Sequence, residues 1–143
     1  MDRNSLPMSI GSTENTLRAL LTELLSDTAI HSYEEWVYLN VGASTSSPAS
    51  IASLVANLLK QSPEVVEKVA RLLWHRGLIN ADGMLLPGAL DELEKGRHLV
   101  GSATASLVAE LEQADIETTF RVLAHIKQEA EQLLTIAHSR NTH

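Results

Sequence analysis

The sequence predicts an all-α fold because of its composition and its hydrophobic spacing. Leucine, alanine, valine, serine and glutamate dominate the 143 residues, whereas aromatic side chains make up only 3% of them. Since β-sheets favour aromatic and β-branched residues, this composition suits helices better than a sandwich. Apolar residues also recur at three- and four-residue spacing along most of the chain, as they do on one face of a helix. A domain of this length can bury a core.

The N-terminal part of the chain is expected to form two helices. The first covers residues 12–26, and the residues before it read as a frayed terminus. The second begins at Tyr33, because Ser32 and Glu35 have the spacing of a capping box, and it ends near Val41. The first helix has a wide apolar face, which usually contacts more than one neighbour. That face is formed by Leu17, Leu20, Leu21, Leu24 and Leu25.

A helix-turn-helix is predicted for residues 50–79. Residues 50–61 form an amphipathic helix, and a second helix follows almost without a linker, so the two must pack at a steep angle. Ser62 is a suitable N-cap for that second helix, Pro63 a suitable first-turn residue, and Gly77 a suitable end. The apolar stripe of the second helix consists of Val66, Val69, Ala70 and Leu73.

A short β-hairpin is expected directly after this motif. Asp82 and Gly83 form a hairpin signal between two short apolar runs, residues 78–80 and 84–86. A hairpin at this place in a helix-turn-helix domain is a wing. The fold class expected is therefore mainly helical, a winged helix-turn-helix with a short β-hairpin wing.

Two long helices are expected in the C-terminal part. The fifth helix covers residues 89–113, and small residues such as Gly96 within it would allow another helix to approach closely. The sixth helix, which Asp115 can cap, has an apolar stripe of its own. That stripe comprises Ile116, Phe120, Leu123, Ala130, Leu133 and Ala137. Because so small a central domain cannot cover all of these faces, we expect a homodimer in which the first, fifth and sixth helices interleave.

The run VANLLKQSPEVVEKVARLLWHRGLI, residues 55–79, resembles the core of the MarR family of winged-helix transcriptional regulators. The segment SYEEWVYLN, residues 32–40, resembles the part of that family that precedes the motif, and the resemblance extends over roughly residues 14–137. The matching positions are Val55, Ala56, Leu59, Ser62, Val66, Ala70, Leu73, Gly77, Leu78 and Ile79. The wing departs from the family pattern, because its tip carries no arginine for the minor groove.

The resemblance implies both an organisation and a function. It implies a single domain of residues 1–143, with a winged core at residues 32–87 and dimerisation helices at residues 12–31 and 88–138. The function it implies is that of a homodimeric transcriptional regulator, which binds double-stranded DNA at a pseudo-palindromic operator and responds to a small-molecule effector. The recognition helix, residues 63–76, would read the major groove. Its DNA-facing positions map onto Ser62, Glu64, Val65, Glu67, Lys68 and Arg71.

The charge distribution fits a DNA-reading element in an acidic protein. The formal net charge is −7, but residues 48–80 carry four basic and two acidic side chains, a local charge of +2, which leaves −9 on the rest. Lys68 and Arg71 can contact phosphates or guanine edges. Glu64 and Glu67 would repel phosphate, although a carboxylate can accept a hydrogen bond from N4 of cytosine.

Four residues are candidates for an effector site: His31, Tyr33, Trp36 and His98. Trp36 and Tyr33 lie where the family's dimers have a cleft between their dimerisation and DNA-binding parts, so they could line a small-molecule pocket. A tryptophan in a small helical protein is more often part of the core, and for Trp36 that interpretation is favoured. Trp74 is expected to pack on the wing or on the fifth helix.

The histidines do not predict a metal site. They are His31, His75, His98, His125, His138 and His143. His31 with Glu34 or Glu35, and His125 with Glu129, have one-turn spacing that could chelate a cation, but a site needs three or four ligands. We therefore expect exposed polar side chains, and neither a metal nor another cofactor. The absence of cysteine excludes disulfides, zinc–thiolate sites and thiol redox sensing.

Two other functions stay open. In one, the dimer has lost DNA binding and acts on a protein partner, as an antirepressor does; the acidic charge, Glu64 and Glu67 favour it. In the other, a ligand or metal must load the protein before it binds DNA. No enzyme is predicted, because the chain has no nucleophile elbow, phosphate loop or HExxH motif. A cytoplasmic location without membrane contact is expected, because the chain has neither a signal-peptide layout nor an apolar run of about 18 residues.

Overall fold

The computed structural model describes residues 1–141 and is built almost entirely from helices. A 3₁₀ turn, Arg3–Ser5, leads into six α-helices within these residues. They are α1 (Leu6–Leu24), α2 (Tyr33–Ser44), α3 (Pro48–Leu59), α4 (Pro63–His75), α5 (Pro87–Val108) and α6 (Gln113–Asn141). The all-α part of the prediction is confirmed. In the described part of the chain, no helix has both the length and the apolar composition needed to cross a membrane.

The chain divides into two compact units. The first is Met1–Ala103, and the second begins at Thr104. The first unit contains α1 to α4 and most of α5, and therefore every residue predicted to bind DNA or an effector. The second unit contains the end of α5 and the whole of α6, a helix of 29 residues none of which is buried.

The core of the first unit lies where α2, α3 and α4 pack against one another. In α4, Val66, Val69 and Leu73 are buried with the predicted spacing. The remaining buried apolar residues are Leu25, Ile30, Tyr38, Leu39, Ile51, Val55, Leu78, Ile79, Ala89 and Leu93. Burying one large aliphatic side chain contributes about 1.5–3 kcal/mol, so this cluster holds the α3–α4 pair firmly on α2.

Helices α2 and α4 begin at the residues that the sequence predicts, although the Glu35 carboxylate does not complete the capping box and Ser62 makes no capping hydrogen bond. Helix α2 begins at Tyr33, and the Oγ of Ser32 accepts a hydrogen bond from the Glu35 backbone N–H at 3.2 Å. Helix α4 begins at Pro63, and Gly77, with a φ of 77°, follows its end. The corner between α3 and α4 contains Lys60 at φ 53° and ψ 43°, a left-handed conformation that glycine usually adopts at this place.

The predicted β-hairpin wing is wrong. Between α4 and α5 the structure has no strand, only a single antiparallel bridge that joins Ile79 and Leu85. Residues 78–86, called the connecting turn, form instead a compact turn that is held by hydrogen bonds between its own residues. The backbone N–H of Asn80 donates to the Met84 carbonyl at 2.9 Å, and the Asn80 side-chain Oδ1 accepts from the Met84 N–H at 3.0 Å. The core predicted at residues 32–87 is therefore three helices and a turn.

The physical reason for the missing strands is that the backbone donors beside the bridge are engaged elsewhere: the Leu78 N–H donates to the Leu73 carbonyl of α4 at 3.0 Å, and the Met84 N–H donates to the Asn80 side chain. Pro87 is already the first residue of α5. Proline supplies no N–H for a strand ladder, so a second strand could not extend past residue 86. The connecting turn therefore contains one bridging pair.

Several helix boundaries also differ from the predicted ones, among them the end of α2 at Ser44 and the bounds of α3. The terminus expected to fray is ordered as helix: α1 begins at Leu6, and the Asp2 side chain accepts a hydrogen bond from the Asn4 N–H at 3.0 Å just before it. Helix α5 ends at Val108, before the predicted residue 113. Asp115 lies in the first turn of α6 and does not cap it, because that helix begins at Gln113.

Helix α5 runs unbroken through Gly96, as predicted, and the glycine is buried in a close contact. A Cβ atom at this position would lie 2.9 Å from Cδ2 of Leu25 and 2.9 Å from Cζ3 of Trp36. At such short distances the side chains of Leu25 and Trp36 would have to move to make room for the Cβ atom. The missing side chain therefore brings the N-terminal part of α5 directly against the region where α1 ends and α2 begins.

Candidate nucleic-acid interface

Helix α4 has one buried side and one exposed side. Its buried side, formed by Val66, Val69 and Leu73, packs on the core. Of the six residues predicted to face DNA, five are exposed: Ser62, Glu64, Glu67, Lys68 and Arg71. The sixth, Val65, is half-buried. The structure thus brings the predicted residues together on the N-terminal two-thirds of one helix.

The exposed side of α4 carries an internal ion pair. The guanidinium of Arg71 lies 3.3 Å from the Glu67 carboxylate, one turn away, and both side chains are well exposed. A pair of this kind contributes only about 0.3–0.5 kcal/mol to stability. The pair also brings the two opposite charges together, so that Arg71 offsets the charge of the carboxylate that would otherwise repel a phosphate. Lys68, next in sequence, makes no ion pair with any residue of the described chain.

The N-terminus of α4 has no side-chain cap. Ser62 has the extended backbone of an N-cap, but its hydroxyl accepts no capping hydrogen bond. Pro63 has no N–H, and the amides of Val65 and Val66 both point to the Ser62 carbonyl. The Ser62 hydroxyl is therefore free of the capping role, and the N-terminal end of the helix dipole adds partial positive charge beside it.

Arg76 does not belong to this surface, although it is one of the four basic residues counted in this region. It turns inward and forms an ion pair with the buried carboxylate of Glu35. No sequence pattern indicates this pair, because Glu35 has the spacing of a capping-box residue and lies 41 positions from Arg76. The positive charge available on the surface is consequently smaller than the sequence count.

A shallow cleft lies beside α4, between α3 and the connecting turn. Its volume is about 500 Å³, and its lining is mostly apolar, with Ala52, Ala56, Val66 and Ala70 among the residues that form it. Tyr38 also lines the cleft. None of the four predicted effector-binding residues lines this cleft.

Those four residues lie elsewhere in the first unit. His31 and His98 are exposed, and Trp36 packs half-buried against the core. The ring of Tyr33 is covered by the guanidinium of Arg18, which lies 4.1 Å from the ring centroid in a cation–π contact. An effector that stacked on Tyr33 would have to displace Arg18.

No group of three or more potential metal-ligating side chains occurs within residues 1–141. The carboxylate of Glu35, one of the residues spaced to chelate with His31, instead accepts a hydrogen bond from the His31 backbone N–H at 2.9 Å. His143 lies outside the described residues.

The C-terminal end of α4 carries exposed apolar side chains, whereas its N-terminal end carries exposed charged ones. Leu72 is 55% exposed and Trp74 is 50% exposed. The Trp74 ring lies 5.0 Å from the His75 ring, and it borders a small cleft beside Ile79 and Asn80 of the connecting turn. Because Leu72 and Trp74 are two positions apart in α4, their side chains lie on different sides of the helix.

Comparisons with known proteins bear on the fold alone. No protein-family model matches the chain, and no curated protein matches it. Among solved structures, a protein of unknown function from Listeria innocua Clip11262 is similar, with a TM-score of 0.64 and 16% sequence identity. The alignment covers 88% of this chain and 93% of that one. The resemblance to the MarR family therefore stays a prediction.

Proposed function

We propose that the chain is a cytoplasmic, homodimeric regulator of transcription, of MarR type but without a hairpin wing, that reads double-stranded DNA with α4. The observation that carries the proposal is the arrangement of α4. One side of the helix is fixed to the core, and the other presents Ser62, Lys68 and Arg71 to solvent. In a dimer, two such helices would enter successive major grooves of a pseudo-palindromic operator, about one helical turn apart.

The charges on α4 support contact with phosphate at its N-terminal end. Lys68 is exposed and makes no ion pair with the described residues, and the N-terminal end of the helix dipole favours an anion, whereas the exposed Glu64 in the first turn opposes one. Glu67 is neutralised by Arg71 in the free protein. Arg71 would exchange this carboxylate for a phosphate or a guanine edge, and Glu67 would then be released to a cytosine amino group.

The exposed apolar residues of α6 support the homodimer. Two residues of the α6 stripe are well exposed, Phe120 at 70% and Leu133 at 67%. Ile116, Leu123, Ala130 and Ala137 follow at seven-residue intervals, which is the spacing that packs one helix along another. A second copy of the chain, with the same stripe, is the partner that covers it in this proposal.

A small-molecule effector remains part of the proposal, with His31, Tyr33, Trp36 and His98 as its predicted contacts. The Arg18 guanidinium lies over one face of the Tyr33 ring, and an effector that stacked on this face would take its place. An effector that changed the spacing of the two α4 helices would release the operator.

The test is binding of the purified protein to fragmented DNA from its own genome, followed across a salt series. The expected result is a set of enriched fragments that share an inverted repeat, with an affinity that falls steeply as salt rises, because each neutralised phosphate releases counterions. A folded dimer that enriches nothing even at low salt would contradict DNA binding.

The second candidate is a dimer that acts on a protein partner, as an antirepressor does. Trp74 favours it, because its exposed ring adds apolar area to α4 beside the connecting turn, and the DNA-binding proposal gives this ring no role. Under this proposal, Trp74→Ala would abolish partner binding, whereas under the first proposal it would leave the DNA affinity largely unchanged.

A further inference from the structure

Arg76 lies immediately after α4 and holds the end of that helix in place. Its guanidinium donates to the Glu35 carboxylate and, at 2.9 Å, to the backbone carbonyl of Ala29. It also reaches back to the Leu72 carbonyl at 3.4 Å. One side chain therefore connects the end of α4 with α2 and with the segment between α1 and α2.

Glu35 makes this connection rigid. Its side chain is 3% exposed, so its charge depends on the partners that the protein provides. One carboxylate oxygen also accepts the His31 backbone N–H at 2.9 Å, while the other accepts from Arg76 at 3.1 Å. Removing one member of a buried ion pair leaves an uncompensated charge, which is costly. The carboxylate and guanidinium are therefore expected to move together.

The peptide groups around Ala29 extend the connection to α5. The Ala29 carbonyl accepts from Arg76, while the Ala29 N–H donates to the Glu92 carboxylate of α5 at 3.1 Å. The carbonyl and the N–H of this one residue therefore bond to two different helix regions, the end of α4 and the first turns of α5. Close packing at Gly96, one turn further along α5, leaves little room for α5 to slide against this segment.

We propose that Glu35 and Arg76 are positioning residues that couple the direction of α4 to the N-terminal half of α5, with Ala29 as the link between Arg76 and Glu92. A displacement of that part of α5 pulls on Ala29, and Arg76 transmits the movement to the end of α4. The proposal assigns a regulatory input to the DNA-reading helix. In that respect it rests on the proposed function, but the coupling itself exists without DNA.

The coupling is tested on the full chain by recording backbone amide chemical shifts. Glu92→Gln weakens the hydrogen bond to Ala29 without changing the size of the side chain. The expected result is a shift of the Ala29 amide together with shifts at the end of α4, from residue 72 to 77. Glu94→Gln, an exposed change with the same charge on the same helix, should leave the end of α4 unperturbed. Lys95→Gln controls for the exposed Lys95–Glu92 ion pair.

The variant that interrupts the path is Arg76→Lys. Lysine keeps the positive charge for Glu35 but lacks the fork that reaches Ala29 at the same time. In this background Glu92→Gln should still shift the Ala29 amide but no longer the end of α4. Should Arg76→Lys fail to fold, the wild-type background still decides the matter. Shifts at the end of α4 that are no larger for Glu92→Gln than for Glu94→Gln would overturn the proposal.

DNA binding gives the second readout. Glu92→Gln is expected to lower the affinity for an enriched fragment by about two- to thirtyfold relative to Glu94→Gln, the range typical of coupling through a protein. Equal affinities of the two variants would overturn the regulatory role. A wild-type protein that binds no DNA would contradict the proposed function, and the amide shifts alone would then decide whether the coupling exists.

Discussion

The hydroxyl of Tyr38 donates a hydrogen bond to the backbone carbonyl of Gly83 at 2.8 Å. This bond attaches the tip of the connecting turn to α2. Gly83 has a φ of 90°, and a Cβ atom there would lie 2.8 Å from the same hydroxyl, so both the conformation and the approach require glycine. Burial raises the pKa of Tyr38 above its ordinary value, because a phenolate in this place would lose its hydration.

The buried Tyr38 predicts a loss of stability at alkaline pH. Because its pKa is higher in the folded than in the unfolded protein, its contribution to stability is complete below about pH 10 and is lost as the pH rises through the folded-state pKa. Urea unfolding of the wild type and of Tyr38→Phe between about pH 8 and pH 11 measures this contribution. The variant is expected to lose about 1 kcal/mol at neutral pH from the missing hydrogen bond, and to show a shallower alkaline decline.

The control for this prediction is Tyr33→Phe, which removes the other tyrosine of the chain. That variant should keep the full alkaline decline. An equally steep decline in Tyr38→Phe would mean that the phenol of Tyr38 is not its cause.

Two glycines of α5 predict opposite effects of the same substitution. Gly96→Ala places a methyl group against Leu25 and Trp36, and overpacking of this kind costs about 1–3 kcal/mol of unfolding free energy. Gly101→Ala meets no atom within 4 Å, so the gain in helix propensity should stabilise by about 0.5–1 kcal/mol. Urea unfolding midpoints of the two variants give the comparison. A stable Gly96→Ala variant would contradict the close packing of α5.

Lys68→Ala and Arg71→Ala are each expected to weaken operator binding. Loss of one phosphate or base contact should raise the Kd by roughly tenfold, and a lost phosphate contact should also reduce the salt dependence. Fluorescence anisotropy with an enriched fragment measures both. Arg3→Ala removes the same charge outside α4 and serves as the control. Unchanged affinity in both α4 variants would contradict the assignment of α4 as the recognition helix.

Leu133→Asp is expected to convert a dimer into a monomer. In the proposed dimer this side chain is covered by the second copy, and a carboxylate there would have to be buried without a partner. Size-exclusion chromatography with light scattering measures the mass. Gln128→Asp adds the same charge on the opposite side of α6 and should leave the dimer intact. Monomers in the wild type, or dimers in both variants, would refute the role of the α6 stripe.

The sequence predicted those features that depend on neighbouring residues. Ser32 and Pro63 set the starts of α2 and α4 through capping and through the fixed φ of proline, which act within one helical turn. The spacing of Val66, Val69 and Leu73 determined which side of α4 is buried, and thereby which predicted DNA-facing residues are exposed.

The sequence failed where the outcome depends on which partners the backbone groups find. Asp82 and Gly83 do lie in a turn, but the Leu78 N–H bonds back to α4 and the Met84 N–H bonds to the Asn80 side chain, so only one bridge forms. A turn signal indicates the reversal of the chain and not the hydrogen-bond partners of the segments that it joins.

Contacts between residues that are far apart in the sequence could not be predicted from it either. Arg76 counted as one more basic residue of the DNA-reading segment until the fold placed Glu35 beside it. Likewise, nothing in the spacing of Tyr33 shows that Arg18 covers its ring.

The left-handed backbone of Lys60 has a consequence for selection on this protein. An L-residue in this conformation costs about 1–2 kcal/mol, which glycine would relieve, and the position lies three residues before α4. Selection for thermal stability alone would therefore replace Lys60 with glycine and remove a positive charge from the corner next to α4. Under the proposed function, selection for DNA affinity would act in the opposite direction, so that folding and charge would compete for a single residue at this corner.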